Sequence, residues 1–210
     1  MADHSHYTCF NNPYLTVPSF RDVEGTVDPR TILRADSRLE LEIGFGRGRF
    51  IRERAMAQKD VRMLGIETKR KLVYECAERV RRSGIDNAVV MHGDAREVLA
   101  RMAPDGCFDN IFILFPDPWW KARHRKRMVV TDGLTDHVVR LLRQGGHFFV
   151  ETDVDFRADE YRQVLLADPR LSPMGDKGIV SDNPFGARSS REAQAMELGM
   201  PVYRMLFCRK

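Results

Sequence analysis

The chain is poor in the features that would identify a secreted, membrane-bound or metal-held protein. It has four cysteines in 210 residues, Cys9, Cys76, Cys107 and Cys208, and no two of them form a C-x-x-C pair. That spacing argues against a disulfide framework or a zinc knuckle and fits a reducing cytoplasm. No apolar run approaches the roughly 20 residues needed to span a bilayer. The first ten residues are polar and lack the apolar core of a signal peptide. His4 and His6 sit in that polar tail and are read as solvated, so no metal site is expected. There is no internal repeat and no long low-complexity tract.

What is present describes an α/β protein. At 43% apolar and 30% charged residues, the chain can bury a substantial core without staples. The net charge is +4, with a pI near 9.0, which permits a nucleic-acid partner without demanding one. Residues 1–30, with Pro13, Pro18, Gly25 and Pro29, are read as an irregular N-terminal arm, and residues 31–210 as a single domain.

Strands are predicted at 39–43, 61–66, 88–91, 110–115, 147–151 and 202–208, with a further one near 177–180. Helices are predicted at about 49–58, 69–83, 95–102, 132–142 and 156–166. Gly84 stops the second of these helices and Gly145-Gly146 the fourth. Strands alternating with helices imply a mostly parallel, doubly wound sheet of about seven strands. Ligands bind at the carboxyl ends of such strands.

Chemistry-bearing residues recur at those ends. Glu42-Ile43-Gly44-Phe45-Gly46-Arg47-Gly48 follows the first strand. A dinucleotide fingerprint needs G-x-G-x-x-G, and here Arg49 stands where the third glycine belongs. The spacing E-x-G-x-G-x-G is instead that of S-adenosylmethionine-dependent methyltransferases, in which Glu42 would answer the methionine ammonium. Glu67 ends the second strand, where a carboxylate can accept ribose hydroxyls, as it also would for NAD. Asp94 closes the third and could accept from an adenine amino group. Any one of these acids could simply be a surface acid at a helix N-terminus. All three together with the glycine turn favour one adenosine-containing ligand.

The densest signal follows the fourth strand. Asp117 stands between Pro116 and Pro118, followed by Trp119 and Trp120, and then by a block from Lys121 to Arg127 holding five Lys/Arg and one His. A charge run is most often only a solvated face. Beside an aromatic-flanked acid, Lys121, Arg123, Arg125, Lys126 and Arg127 are read as phosphate contacts. Trp119 is expected in the core and Trp120 exposed, where it could stack on a base. Arg47, Arg49, Arg79, Arg81 and Arg82 either extend this cationic field or are ordinary helix-surface charge.

Leu41 to Gly46, Gly65-Ile66-Glu67, Phe115-Pro116-Asp117-Pro118-Trp119 with Lys121-Ala122-Arg123-His124, Thr152-Asp153, and Ser189-Ser190-Arg191-Glu192 together resemble the tRNA (guanine-N7-)-methyltransferase family. The similarity runs from about Leu39 to the C-terminus. It implies a Rossmann-like class I methyltransferase fold with an antiparallel C-terminal strand, and S-adenosylmethionine as cofactor. It implies tRNA as partner, methylated on a guanine N7, with the variable loop as its place. It also implies no obligatory protein partner, and so a monomer or homodimer.

Residue by residue, the resemblance assigns Glu42, Gly44, Gly46, Gly48, Glu67 and Asp94 to the cofactor, and Asp117 to cofactor, base and catalysis. Lys121, Asp153, Ser189 and Glu192 fall to the substrate, and the stretch from Arg123 to Arg127 to RNA. Three positions depart from the family pattern: Trp120 stands for His, Ser189 for Thr and Arg191 for Phe. The alternatives are a methyltransferase of the same fold acting on another RNA or a small molecule, and a non-catalytic RNA-binding paralogue. An NAD-dependent oxidoreductase fits least, because no catalytic His or Tyr stands at a strand end.

Overall fold

The structure is a computed structural model that describes residues 13–34, 38–117 and 130–210. Among these the elements run, in order, α1 (Pro29–Leu33), β1 (Arg38–Ile43), α2 (Arg49–Ala57), β2 (Val61–Glu67), α3 (Arg70–Arg82), β3 (Ala88–His92), α4 (Ala95–Arg101) and β4 (Phe108–Leu114). They continue as α5 (Asp132–Leu141), β5 (Leu142–Thr152), α6 (Asp155–Ala167), β6 (Leu171–Pro173), β7 (Ile179–Val180), α7 (Ser190–Glu197) and β8 (Tyr203–Arg209). The strands form one eight-stranded sheet in the order β3-β2-β1-β4-β5-β8-β6, with β7 also on β8. Strands β1 to β5 pair in parallel, and β8 runs antiparallel to β5. The strand order reverses between β1 and β4, the switch point at which such sheets bind ligands.

Alternate residues of each strand enter two separate cores. Leu39, Leu41, Ile43, Ile111, Ile113, Phe148, Val150, Met205 and Phe207 pack on one face with α4, α5 and α6. Met63, Phe112, Leu114, Phe149 and Leu206 pack on the other with α2, α3 and Phe185. The alternation of Leu and Glu along β1 therefore does not mark a solvated face. Glu40 and Glu42 point into the second core and are buried. Glu40 is matched there by Arg54, at 2.7 and 2.8 Å, and by the Asn110 amide at 2.7 Å. A buried carboxylate persists only with such partners.

One prediction is corrected by geometry. Gly145-Gly146 does not follow a helix end directly; both lie inside β5, which starts at Leu142 and is five residues longer at that end than expected. The register against β4 shifts there, between Phe108↔Leu142 and Asn110↔His147, so the glycines accommodate a bulge. Helix α7 and strand β6 were not anticipated. The arm from residue 13 onward is pinned to the sheet edge: the His92 amide donates to the Pro18 carbonyl at 2.8 Å, and Ser19 bridges His92. Among the described residues no helix is long and apolar enough to cross a membrane.

Candidate active site

A cavity of about 430 Å³ opens at the carboxyl ends of β1 to β4. Gly44, Gly46, Glu67, Asp94 and Asp117 all line it, with Leu72 and Leu134 among its apolar walls. Five residues read from separate stretches of sequence thus converge on one space.

The glycine turn divides into two tasks. A methyl group built on Gly44 or Gly46 would meet nothing within 4 Å, so these two leave the space beside the turn free. A methyl group on Gly48 would lie 2.1 Å from Cys76 Sγ, so Gly48 instead lets α2 start against α3. All three have positive φ, at 75°, 55° and 71°. That is a conformation side chains resist.

The Glu67 carboxylate is tied to the same turn. It accepts from the Gly46 amide at 3.1 Å through one oxygen, and from the Lys69 amide at 2.9 Å and the Thr68 hydroxyl at 3.1 Å through the other. A carboxylate offers about four acceptor positions, so one remains for a ligand hydroxyl. Asp94 is the N-cap of α4 and also grips Arg96, at 2.7 Å to Nη2. The Arg96 guanidinium holds the Asp94 carboxyl below the usual range.

Glu42 lies beneath the turn and is not part of the cavity wall. It is 2% exposed, and its Oε2 is buried without a hydrogen-bond partner. Burial raises its pKa to about 8, against the pull of the Ile51 amide and with a further push from Glu67.

At the end of β4, Phe115 holds φ 50°, a strained conformation for an aromatic residue, while its amide donates to the Glu151 carbonyl at 2.8 Å. The turn that follows carries Pro116 and an exposed Asp117 to the cavity rim. Pro118, Trp119, Trp120, Lys121, Arg123, Arg125, Lys126 and Arg127 lie outside the described residues.

At the end of β5, Asp153 pairs with Arg191 of α7, at 2.7 Å from Nε and 2.5 Å from Nη2. Ser189 is the N-cap of that helix and accepts from the Glu192 amide at 3.0 Å. The Glu192 side chain turns inward and is fully buried, 2.9 Å from Arg204 Nη2 and 3.2 Å from Asn183 Nδ2. Arg204 also stands 3.2 Å from Glu151. Burial, and after it the neighbouring Glu192, raise the Glu151 pKa to about 9.

The buried pairing of Glu151 with Arg204 was not identified from sequence. Its signals were an acid and an arginine in the middle of otherwise apolar strands, Glu151 and Arg204. Of the five other arginines considered for a cationic field, Arg49, Arg79, Arg81 and Arg82 are spent on helix carboxylates.

The comparisons agree with this geometry. A family model described as a putative methyltransferase matches residues 36–205. A tRNA (guanine-N(7)-)-methyltransferase of Synechococcus sp. (strain JA-3-3Ab) is 35% identical over 176 residues, covering 83% of this chain and 74% of the relative. One of Trichormus variabilis is 34% identical, covering 81% of each. Among solved structures, a 30S ribosomal A1408 methyltransferase from an uncultured bacterium aligns with a TM-score of 0.59 at 16% identity, over 86% of this chain and 91% of that one. TrmN from Thermus thermophilus aligns at 0.60 and 15%, over 86% and 47%. These two likenesses establish the Rossmann-like methyltransferase fold. The sequence relatives go further: this chain belongs to the tRNA (guanine-N7-)-methyltransferase family.

Proposed function

We infer that this chain transfers a methyl group from S-adenosylmethionine to N7 of a guanine in tRNA, and that the guanine lies in the variable loop. One observation carries the reading. Carboxylates from three strand ends, Glu67, Asp94 and Asp117, line a single cavity behind a glycine turn whose Gly44 and Gly46 leave open space. The donor set fits the cofactor, which has hydroxyls, an amino group and cationic centres but no pyrophosphate. Glu67 would take one ribose hydroxyl and Asp94 the adenine amino group. Glu42, buried beneath the turn and neutral near pH 7, would hold the turn in place behind the methionine ammonium rather than pair with it. Bound there, the cofactor supplies an electrophilic methyl group on a sulfonium.

The remaining work falls to the chain itself. Guanine N7 is an unprotonated lone pair and needs no general base, so the protein's task is alignment. Methylation leaves positive charge on the base, and Asp117, which lines the cavity, would stabilise it. Asp153 would accept from the guanine N1–H or amino group; with adenine bound, it would lose that donor. Ser189 and Glu192 act as positioning residues, the first capping α7 and the second anchoring it to Arg204. Lys121 and the cationic block from Arg123 to Arg127 would hold the RNA backbone. The chain acts in the cytoplasm, as a monomer or homodimer without an obligatory partner subunit.

The test is mass spectrometry of nuclease fragments of methylated tRNA, with kinetics of two variants. Label is expected on a variable-loop guanine. Asp117→Asn is expected to lower turnover by about 10²-fold. Near-full turnover in Asp117→Asn together with none in Asp153→Asn would exchange the two roles.

A further inference from the structure

The pairing of Asp153 with Arg191 is asymmetric. Both guanidinium contacts, Nε at 2.7 Å and Nη2 at 2.5 Å, fall on the same carboxylate oxygen, Oδ2. Among the described residues Oδ1 has no partner. Arg191 is half exposed, whereas Asp153 is nearly covered. Its other contact there is a weak one, from Nη1 to Gln194 Oε1 at 3.3 Å. The guanidinium is therefore fixed in plane along one edge, while the side chain as a whole stays half exposed beside the end of β5.

Two ligands suit a half-exposed guanidinium paired with Asp153, the residue inferred to meet the base: the base face and a backbone phosphate. Stacking on the reacting base is disfavoured by the chemistry. The guanine gains positive charge as N7 is methylated, and a cation over its face would oppose that charge. A phosphodiester meets no such conflict, and a planar fork of N–H donors suits it.

We propose that Arg191 is a positioning residue that binds a backbone phosphate next to the methylated guanosine. Through Oδ2 it also holds Asp153 so that Oδ1 faces the base. The two partners divide one nucleotide, Arg191 fixing its backbone and Asp153 its base edge. Lys121 and the cationic block that follows Asp117 in sequence would then hold other phosphates. This rests on the reading of the site as an RNA guanine-N7 methyltransferase.

The experiment measures tRNA binding as a function of salt, with S-adenosylhomocysteine present, for wild type, Arg191→Ala and Arg191→Lys. Steady-state kinetics and cofactor affinity are recorded alongside. Arg191→Ala is expected to weaken tRNA binding about tenfold. It should also make the slope of log K against log salt shallower by about 0.7 to 0.9, the loss of one phosphate contact. The KM for tRNA should rise while cofactor affinity stays unchanged. Arg191→Lys keeps the charge and should recover the slope.

An unchanged slope in Arg191→Ala, with or without weaker binding, overturns the phosphate contact. A lysine variant that matches the alanine one overturns it too, because charge would then not be what matters. Failure of the underlying reading looks different: the wild type itself would place no methyl group on guanine N7 of tRNA.

Discussion

Replacing Glu42 by glutamine isolates the energetic consequence of a carboxyl buried beneath the glycine turn. The side chain is 2% exposed, one oxygen has no partner, and burial raises the pKa from 4.5 to about 8. An acid whose native pKa exceeds its unfolded value takes up a proton on folding. Its contribution to stability is therefore intact below about pH 4.5 and is lost as the pH rises towards 8. The loss follows 1.36 kcal/mol per pH unit up to the native pKa and flattens above it. Between pH 7 and pH 9 this amounts to about 1.4 kcal/mol from Glu42 alone. Glutamine resembles the protonated acid and does not titrate.

Urea denaturation of wild type and Glu42→Gln at pH 7, 8 and 9 reads the difference. The variant should gain about 1.4 kcal/mol on the wild type over that range. Glu151, raised to about 9, weakens both proteins in the same direction and cancels in the comparison. Parallel pH profiles would refute the assignment of a neutral, buried Glu42.

Other substitutions separate folding from binding. Gly48→Ala puts a methyl group 2.1 Å from Cys76 Sγ at φ 71°, and should cost about 3 kcal/mol in thermal or urea unfolding. Adding Cys76→Ala should recover part of that loss. Gly46→Ala meets no atom, so it should cost only about 1–2 kcal/mol of stability but weaken S-adenosylmethionine binding by calorimetry. Arg204→Met leaves Glu151 and Glu192 buried without their cation, and should destabilise by about 3–5 kcal/mol at pH 7. Neutralising Arg125, Lys126 and Arg127 together should weaken tRNA binding and flatten its salt dependence by about two, with cofactor affinity intact.

The sheet was legible in the sequence because short apolar strands alternate with helical segments along the chain. Apolar strands ending in Glu42, Glu67, Asp94 and Asp117 announced both the parallel order and the edge where a ligand binds. Helix α7 was not legible as a helix. Ser189-Ser190-Arg191-Glu192 opens as a capping box, S-x-x-E, but its apolar face is thin, and its hydroxyl and carboxylate were read as substrate contacts. The bulge in β5 was missed for a related reason: two adjacent glycines serve a helix stop and a strand irregularity equally well, and only the register against β4 distinguishes them. Glu40 and Glu42 show the limit of pattern reading. An acid at every second position signals a solvated strand face, unless a distant arginine such as Arg54 comes to meet it.

The most direct test of the account is methyl transfer from labelled S-adenosylmethionine to bulk tRNA lacking N7-methylguanosine, followed by nucleoside analysis. The account predicts a labelled nucleoside that co-migrates with N7-methylguanosine, and about a hundredth as much label after Asp117→Asn in the same reaction time. Label in any other nucleoside, or no label from a protein that binds the cofactor, would contradict it.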